Sequence, residues 1–327
     1  MTLPKVDKFV IALASVVALA VLWPEPGRTG GPLQWQYVTT YGICGVFFLY
    51  GLTLAPERMM RGMTRWKAHL AIALTTFALF PVIVLAGERL FPNLLPEAAD
   101  IGFFYIAALP STVSSSVAMV SLARGDIPVA IFNATLSSLL AVVLTPALMA
   151  WYMQSSGVTV PLGPTVLKVM LLVVLPIVLG QIARRWLSVW AERNIKAIKI
   201  ADRAIILAIV YGAFSDSVSE GVWQSHDVFL VVEIAILAIA LFAIVYLIVA
   251  LALKITRMPR EERIAVLFCG SKKSLATGIP LAPIIFSGRG DVGLIILPIM
   301  LFHFFQLLIV SFLATEYQKQ AEGEAAA

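Results

Sequence analysis

The chain has 327 residues, of which 60% are hydrophobic and 13% charged, and its mean hydropathy is +0.92. An ordinary soluble domain carries about 25% charged residues, so that class is excluded. The net charge of +5 comes without a basic face interleaved with aromatics, which excludes nucleic acid as a partner.

In chain order the apolar stretches are 8–23, 37–55, 68–86, 99–123, 127–152, 164–183, 200–218, 228–253, 263–286 and 292–315. At about 20 residues per membrane span, they predict an all-α polytopic membrane protein of ten helices. The first stretch follows Lys5 and Lys8 and shares the layout of a signal peptide. No clear small-x-small cleavage site precedes Trp23-Pro24 and more apolar stretches follow, so it reads as a first span.

Ten spans put both termini on one side. On that side stand Lys5, Lys8, Arg58, Arg61, Arg65 and Lys67, then Arg124, then the basic residues of 184–203 and 254–263, and Lys319. The opposite loops hold Arg28, Arg89 and Arg289, so the asymmetry is 18 to 3. By the positive-inside rule both termini are cytoplasmic, and the expected location is the cell's inner membrane. Lys168 lies near an outer helix end, where it can snorkel. Arg58–Lys67, with Met59, Met60, Met63 and Trp66 interleaved, reads as an amphipathic connector on the inner surface. Cys44 and Cys269 both fall inside apolar stretches and predict neither a disulfide framework nor a metal site.

The chain repeats itself. Arg124-Gly125-Asp126 follows the fourth stretch and Arg289-Gly290-Asp291 follows the ninth. Each half then holds five spans, residues 1–157 and 158–327, with a polar-interrupted span in fourth place. Five is odd, so the second half enters from the opposite face and the repeat is inverted, as in many secondary transporters.

The two interrupted spans carry the chemistry. The fourth reads Pro110-Ser111-Thr112-Val113-Ser114-Ser115-Ser116. Proline removes a backbone donor and disfavours helix at the residue before it, and the hydroxyls that follow can satisfy freed backbone groups or line an ion site. The ninth reads Cys269-Gly270-Ser271-Lys272-Lys273-Ser274. Each lysine inside a bilayer costs about 2.5–3.5 kcal/mol on insertion scales. Adjacent residues on a helix point about 100° apart, so both cannot escape to one side. A break inside a protein cavity resolves that conflict, with Gly270 as a break point beside Pro110. Lys272 stands roughly 13 Å above the inner helix end at Arg263, and Ser115 roughly 12 Å above Ala123. The two broken segments are therefore expected to cross at one depth.

The segments Pro110-x-Thr112-x-Ser114-Ser115-Ser116, Leu122-Ala123-Arg124-Gly125-Asp126 and Phe268-Cys269-Gly270-Ser271-Lys272-Lys273-Ser274-Leu275 resemble the bile acid:sodium symporter superfamily. The likeness is to its SBF-like bacterial branch of sodium-dependent transporters, related to member seven of solute carrier family ten. It covers nearly the whole chain. It implies a panel domain from spans 1, 2, 6 and 7, and a core domain from spans 3–5 and 8–10.

The resemblance also implies where this chain departs. In the sodium-coupled relatives the ninth span carries a glutamate and, four residues on, a glutamine, and both bind sodium. Those places hold Phe268 and Lys272 here; the serine of the fourth span is kept as Ser115, and the neighbouring asparagine is replaced by Ser116. Asn133 is expected to supply an amide oxygen nearby. The sodium site should then be degenerate, with the Lys272 ammonium in the cation's place facing the carbonyl-rich end of the first half-helix.

The expected substrate- and ion-binding residues are Thr112, Ser114, Ser115, Ser116, Asn133, Ser271, Lys272, Lys273 and Ser274. His303 and Gln306, one turn apart, read as a packing pair, and Glu233 as interfacial. Gly288-Arg289-Gly290-Asp291 matches the Gly-x-Gly-Asp of intramembrane aspartyl proteases, but it falls in a loop and no Tyr-Asp partner exists. There is no His-Glu-x-x-His and no phosphate loop, so no enzyme is predicted. The expected function is secondary transport of a small organic anion by alternating access, sodium-independent or proton-linked. Ordinary sodium symport is the alternative, and a regulatory or scaffold protein without flux is a reading of another class. The lipid bilayer is the other expected partner, no cofactor is expected beyond a sodium ion, and oligomeric state is unread.

Overall fold

The computed structural model describes residues 8–53, 63–155, 167–221 and 228–326, and among these there is helix and no strand. The helices are α1 (Lys8–Leu22), α2 (Trp35–Thr53), α3 (Trp66–Leu90), α4 (Glu97–Ala108), α5 (Ser114–Leu122) and α6 (Ile127–Ser155). They are followed by α7 (Leu167–Arg193), α8 (Ile195–Ser219), α9 (Val228–Lys254), α10 (Arg260–Gly270), α11 (Leu275–Ile285) and α12 (Val292–Ala326). Five of them, α3, α6, α7, α9 and α12, are long and apolar enough to cross a membrane unaided.

The stretches 99–123 and 263–286 are each two helices. Extended or turn backbone separates α4 from α5 at 109–113 and α10 from α11 at 271–274. Several helices outrun their apolar stretches. α7 continues to Arg193, and only Asn194 separates it from α8, so the 189–197 segment is a helical corner rather than an open loop. Charged residues at a helix end leave the hydrocarbon without ending the helix, because Arg, Lys and Glu are good helix formers. Two helices carry a wide π-turn just before a proline: Thr75–Leu79 ahead of Pro81 in α3, and Met170–Val174 ahead of Pro176 in α7. Proline has no N–H to return to the preceding turn, and a widened turn accommodates that loss.

The packing divides the helices into two groups. In one, α2 lies along α7, and α8 sits between α1 and α2. Their backbones approach closely: a Cβ on Gly51 would meet Ile177 O, and one on Gly180 would meet Phe48 O. Small residues at such crossings let dispersion act between helices where lipid offers no hydrophobic gradient. In the other group α12 packs on α4, α5 and α9, while α3 and α6 pack against α10. The groups meet where α8 touches α11 and α12.

The two ends of the bundle differ. At one end Arg65 pairs with the buried Glu262 at 3.0 Å, Arg124 pairs with Glu322 at 3.0 Å, and Arg260 donates to Tyr317 O. At the other, Thr29 donates to Asp216, Lys168 to Ser287, and Arg289 spans Asp291 and Glu97. Hydrogen bonding to Asp291 raises the pKa of Arg289 above its usual value. The repeated Arg-Gly-Asp segments turn the chain. Arg124 has φ +57, and the Asp126 carboxylate accepts from Val129 N to cap α6. Of the Arg58–Lys67 connector, residues 58–62 lie outside the described residues, as do 156–166 and 222–227 of two predicted loops.

Candidate functional site

A helix ending inside the protein leaves carbonyls without intrahelical partners, and the end of α4 shows where each one goes. Ile106 O has Pro110 four residues on, which carries no N–H, and accepts from Leu109 N at 3.1 Å instead. The Ser111 N–H, which would return to Ala107, donates instead to Ser137 Oγ. Thr145 Oγ1 donates to Ala108 O at 2.7 Å, and Ser274 N donates to Pro110 O at 2.8 Å. Ala107 O and Leu109 O are taken by the Lys273 ammonium, at 2.7 and 2.8 Å.

The third donor of that ammonium goes to Thr76 O at 2.7 Å. Thr76 lies in the π-turn of α3, where Phe80 N bonds back five residues to Thr75 O. The corresponding partner of Thr76 O is Pro81, which has no N–H, so the carbonyl is free for another donor. Three hydrogens therefore meet three carbonyls, a full complement for an ammonium. Phe80 lies beneath the charge, 4.1 Å from Nζ to ring centroid, a cation–π contact that gains strength when water is excluded. Lys273 is 0% exposed. It sits at the carbonyl end of a half-helix, where the dipole favours positive charge.

The cation expected at this place was Lys272. The neighbouring lysine takes it, because in the extended segment 272–274 successive side chains point to opposite faces. Lys272, also 0% exposed, reaches Ser115 Oγ at 3.1 Å. The described ion pairs all lie elsewhere, so both ammonium groups are held by oxygens of carbonyls and hydroxyls.

The breaks are stitched to each other. Ser111 Oγ donates to Cys269 O, and Ser274 N donates to Pro110 O. Thr112 Oγ1 lies 2.8 Å from both Ser115 Oγ and Ser116 Oγ, joining the hydroxyls into a chain that ends on Lys272. Ser274 caps α11 by accepting from Thr277 N. Ser271 is turned away, its hydroxyl bonded to Leu267 O on its own helix. The Asn133 amide donates to Val129 O and pairs with His69 of α3, contacts that lie on α3 and α6 rather than at either break. The Ser114 side chain lies outside the described part. Phe268 packs edge-on against Tyr317. Gly270 faces the α3 π-turn, where a Cβ would stand 3.2 Å from the Thr75 methyl.

A cavity of about 360 Å³ lies between the two helix groups beside this crossing. Its deep wall holds Thr112, Ser115, Ser274, Thr277 and His303. Its sides are apolar, with Phe47, Leu49, Ile177 and Ile206. Lys199, Asp202 and Arg203 stand at the start of α8. Ser217, near the other end of α8, accepts from Gly293 N and donates to Gly290 O at the start of α12. The two helices are therefore antiparallel, the cavity opens at the end where α12 finishes, and the helix groups are latched at the opposite end.

Sequence reasoning missed three features: the α3 carbonyl, the cavity-mouth charges and Gln306. Pro81 was a readable signal for the first. Gln306 is more than a packing residue. Its Oε1 accepts from Lys273 N and its Nε2 donates to Lys273 O, each at 2.8 Å, so one amide clamps the peptide of the buried lysine.

Broken helices joined through backbone and hydroxyl contacts beside a cavity define a multi-pass membrane protein of the transporter class. The comparisons give the family. The chain belongs to the SBF-like CPA transporter family, whose model matches residues 7–319. An uncharacterized Pseudomonas aeruginosa protein is 37% identical, over 98% of this chain and 96% of its own. The Escherichia coli protein named "Putative symporter YfeH" is 36% identical, over 97% and 94%. A rat protein named sodium/bile acid cotransporter 7 is 30% identical, over 93% and 90%. The chain is a member of a transporter family rather than an enzyme.

Proposed function

We propose that the chain is a secondary transporter of small organic anions, in which the Lys273 ammonium stands where a sodium-coupled relative would hold its ion. The observation that carries this is the trio of carbonyls, Thr76, Ala107 and Leu109, around a fully buried ammonium that makes no ion pair among the described residues. An ion site of that kind is already filled by a tethered cation, so transport needs no free sodium to steady the break. The cavity suits an anion with an apolar body: its walls are apolar, basic residues stand at its mouth, and Lys272 lies one hydroxyl behind its deep wall.

Ten spans in two inverted five-helix repeats, with both termini in the cytoplasm of the inner membrane, give the frame for alternating access. In this reading α1, α2, α7 and α8 form a panel and the remaining helices a core, and the cavity is open to the cytoplasm. Cysteines placed in the 153–163 and 219–227 segments should be labelled from outside intact cells, and cysteines in 189–197 should be protected. Labelling of 189–197 from outside would overturn this topology.

The coupling is tested in proteoliposomes with a panel of organic anions, in sodium against choline buffers. Uptake of the accepted anion is expected to saturate and to change little when sodium is removed, and calorimetry with sodium chloride should give no binding heat. Transport only in sodium, with low-millimolar sodium binding, would establish ordinary symport instead, as the name of the rat relative suggests for that protein. Anion binding without any flux would favour a scaffold role.

A further inference from the structure

We propose that His303 is a proton-binding site that controls the Gln306 clamp on the second break. His303 lines the cavity wall, so protons can reach it along the open side. Gln306 Nε2 lies 2.7 Å from His303 Nδ1. The orientation of that amide is fixed from the other side, because a peptide N–H can only donate and a peptide C=O can only accept. Lys273 N requires Gln306 Oε1, and Lys273 O requires Gln306 Nε2. The second hydrogen of Nε2 then points at His303, and Nδ1 must be the unprotonated acceptor.

A proton on Nδ1 sets two donors face to face. Turning the Gln306 amide over to accept from the imidazolium places oxygen against Lys273 O and N–H against Lys273 N–H. Either way a protonated His303 and an intact clamp exclude each other. Histidine is the side chain whose unperturbed charge change falls between about pH 5 and pH 8. The step is a proton entering from the cavity, with no bond broken except hydrogen bonds.

Among the described residues, the charged and titratable groups near His303 include the following. α8 presents Lys199, Asp202 and Arg203 at the cavity mouth, and α2 presents Tyr50. The break supplies Lys272 and Lys273, while the polar groups that α5 and α11 present to the cavity are the hydroxyls of Ser115 and Thr277. On the remaining sides of α12, α4 carries Tyr105, whose hydroxyl donates to Gly278 O, and α9 carries Tyr246, stacked on Phe242. Glu97 and Asp100 lie in the first turn of α4, with Glu233 and Lys254 towards the ends of α9.

The inference rests on reading the second break as the transport site, yet its test needs no substrate. Hydrogen exchange of the peptide containing Lys273, in purified protein at about pH 5 and pH 8 after correction for intrinsic rates, reads the clamp directly. Protection in the wild type is expected to fall by about tenfold or more at the lower pH. His303→Asn offers a carbonyl oxygen near the place of Nδ1 that does not titrate, and should keep protection at both pH values. His303→Leu, with no acceptor, should also be pH-insensitive, whereas Gln306→Leu should lose protection at both. A wild type equally protected at the two pH values, or a His303→Leu variant with the wild-type response, overturns the proposal. Sodium-dependent uptake alongside the predicted exchange pattern would refute the coupling proposed above and leave this one standing.

Discussion

Lys273→Ala is expected to be the most damaging single substitution in the chain. It removes the donor from Thr76 O, Ala107 O and Leu109 O together. Each buried carbonyl left without a partner costs about 1–3 kcal/mol. Three of them should lower the Tm in detergent by on the order of 10 °C and abolish uptake. The vacated space is lined by carbonyl oxygens, the ligand type that suits hard monovalent and divalent cations. Sodium chloride should therefore raise the Tm of the variant when compared with choline chloride, and should leave the wild type unmoved. Lys273→Arg should restore little, because a planar five-donor fork does not fit a cradle built for three hydrogens on one nitrogen. A Lys273→Ala protein as stable and as active as wild type would show that the carbonyls find other partners and that the tethered cation has no role.

Lys272→Met should give the opposite pattern. The Lys272 ammonium has one hydroxyl partner, Ser115, and is otherwise buried. Methionine keeps the length and apolar stem while removing a charge whose burial costs free energy. Thermal stability is expected to hold or rise slightly. Anion uptake should fall by at least about tenfold, roughly 1.4 kcal/mol of lost attraction to the substrate's negative charge. The split between the two lysines is what matters: one variant loses both stability and flux, the other keeps its stability and loses flux. Retained uptake in Lys272→Met would place anion recognition at Lys199 and Arg203 instead.

Much of the site was legible because membrane burial makes polar residues conspicuous. Two lysines in an apolar run, a proline followed by hydroxyls, and glycine at Gly270 each announced a broken helix. Their depth, counted from charged helix ends, placed both breaks at one level, and the structure joins them through Ser274 N and Pro110 O. The assignment of Lys272 over Lys273 could not be read in the same way. Side-chain direction in an extended segment alternates, and which face looks toward α4 depends on how the chain leaves α10 at Gly270.

Composition, apolar periodicity and the spacing of basic residues are properties of the chain alone, and they determined that this protein is a helical membrane protein with two interrupted helices. The family followed from the same residues. Three things were decided only by tertiary packing. Thr76 in α3, Ala107 and Leu109 at the end of α4, and Lys273 after α10 come from three segments far apart in sequence and meet because the helices cross. Gln306 became a clamp rather than a packing residue because α12 passes beside the second break. The cavity exists because the two helix groups are latched at Ser217 and separated at Lys199 and Arg203. A backbone carbonyl carries no side-chain label, so a site built from carbonyls is invisible in sequence until the fold shows which of them lack a donor.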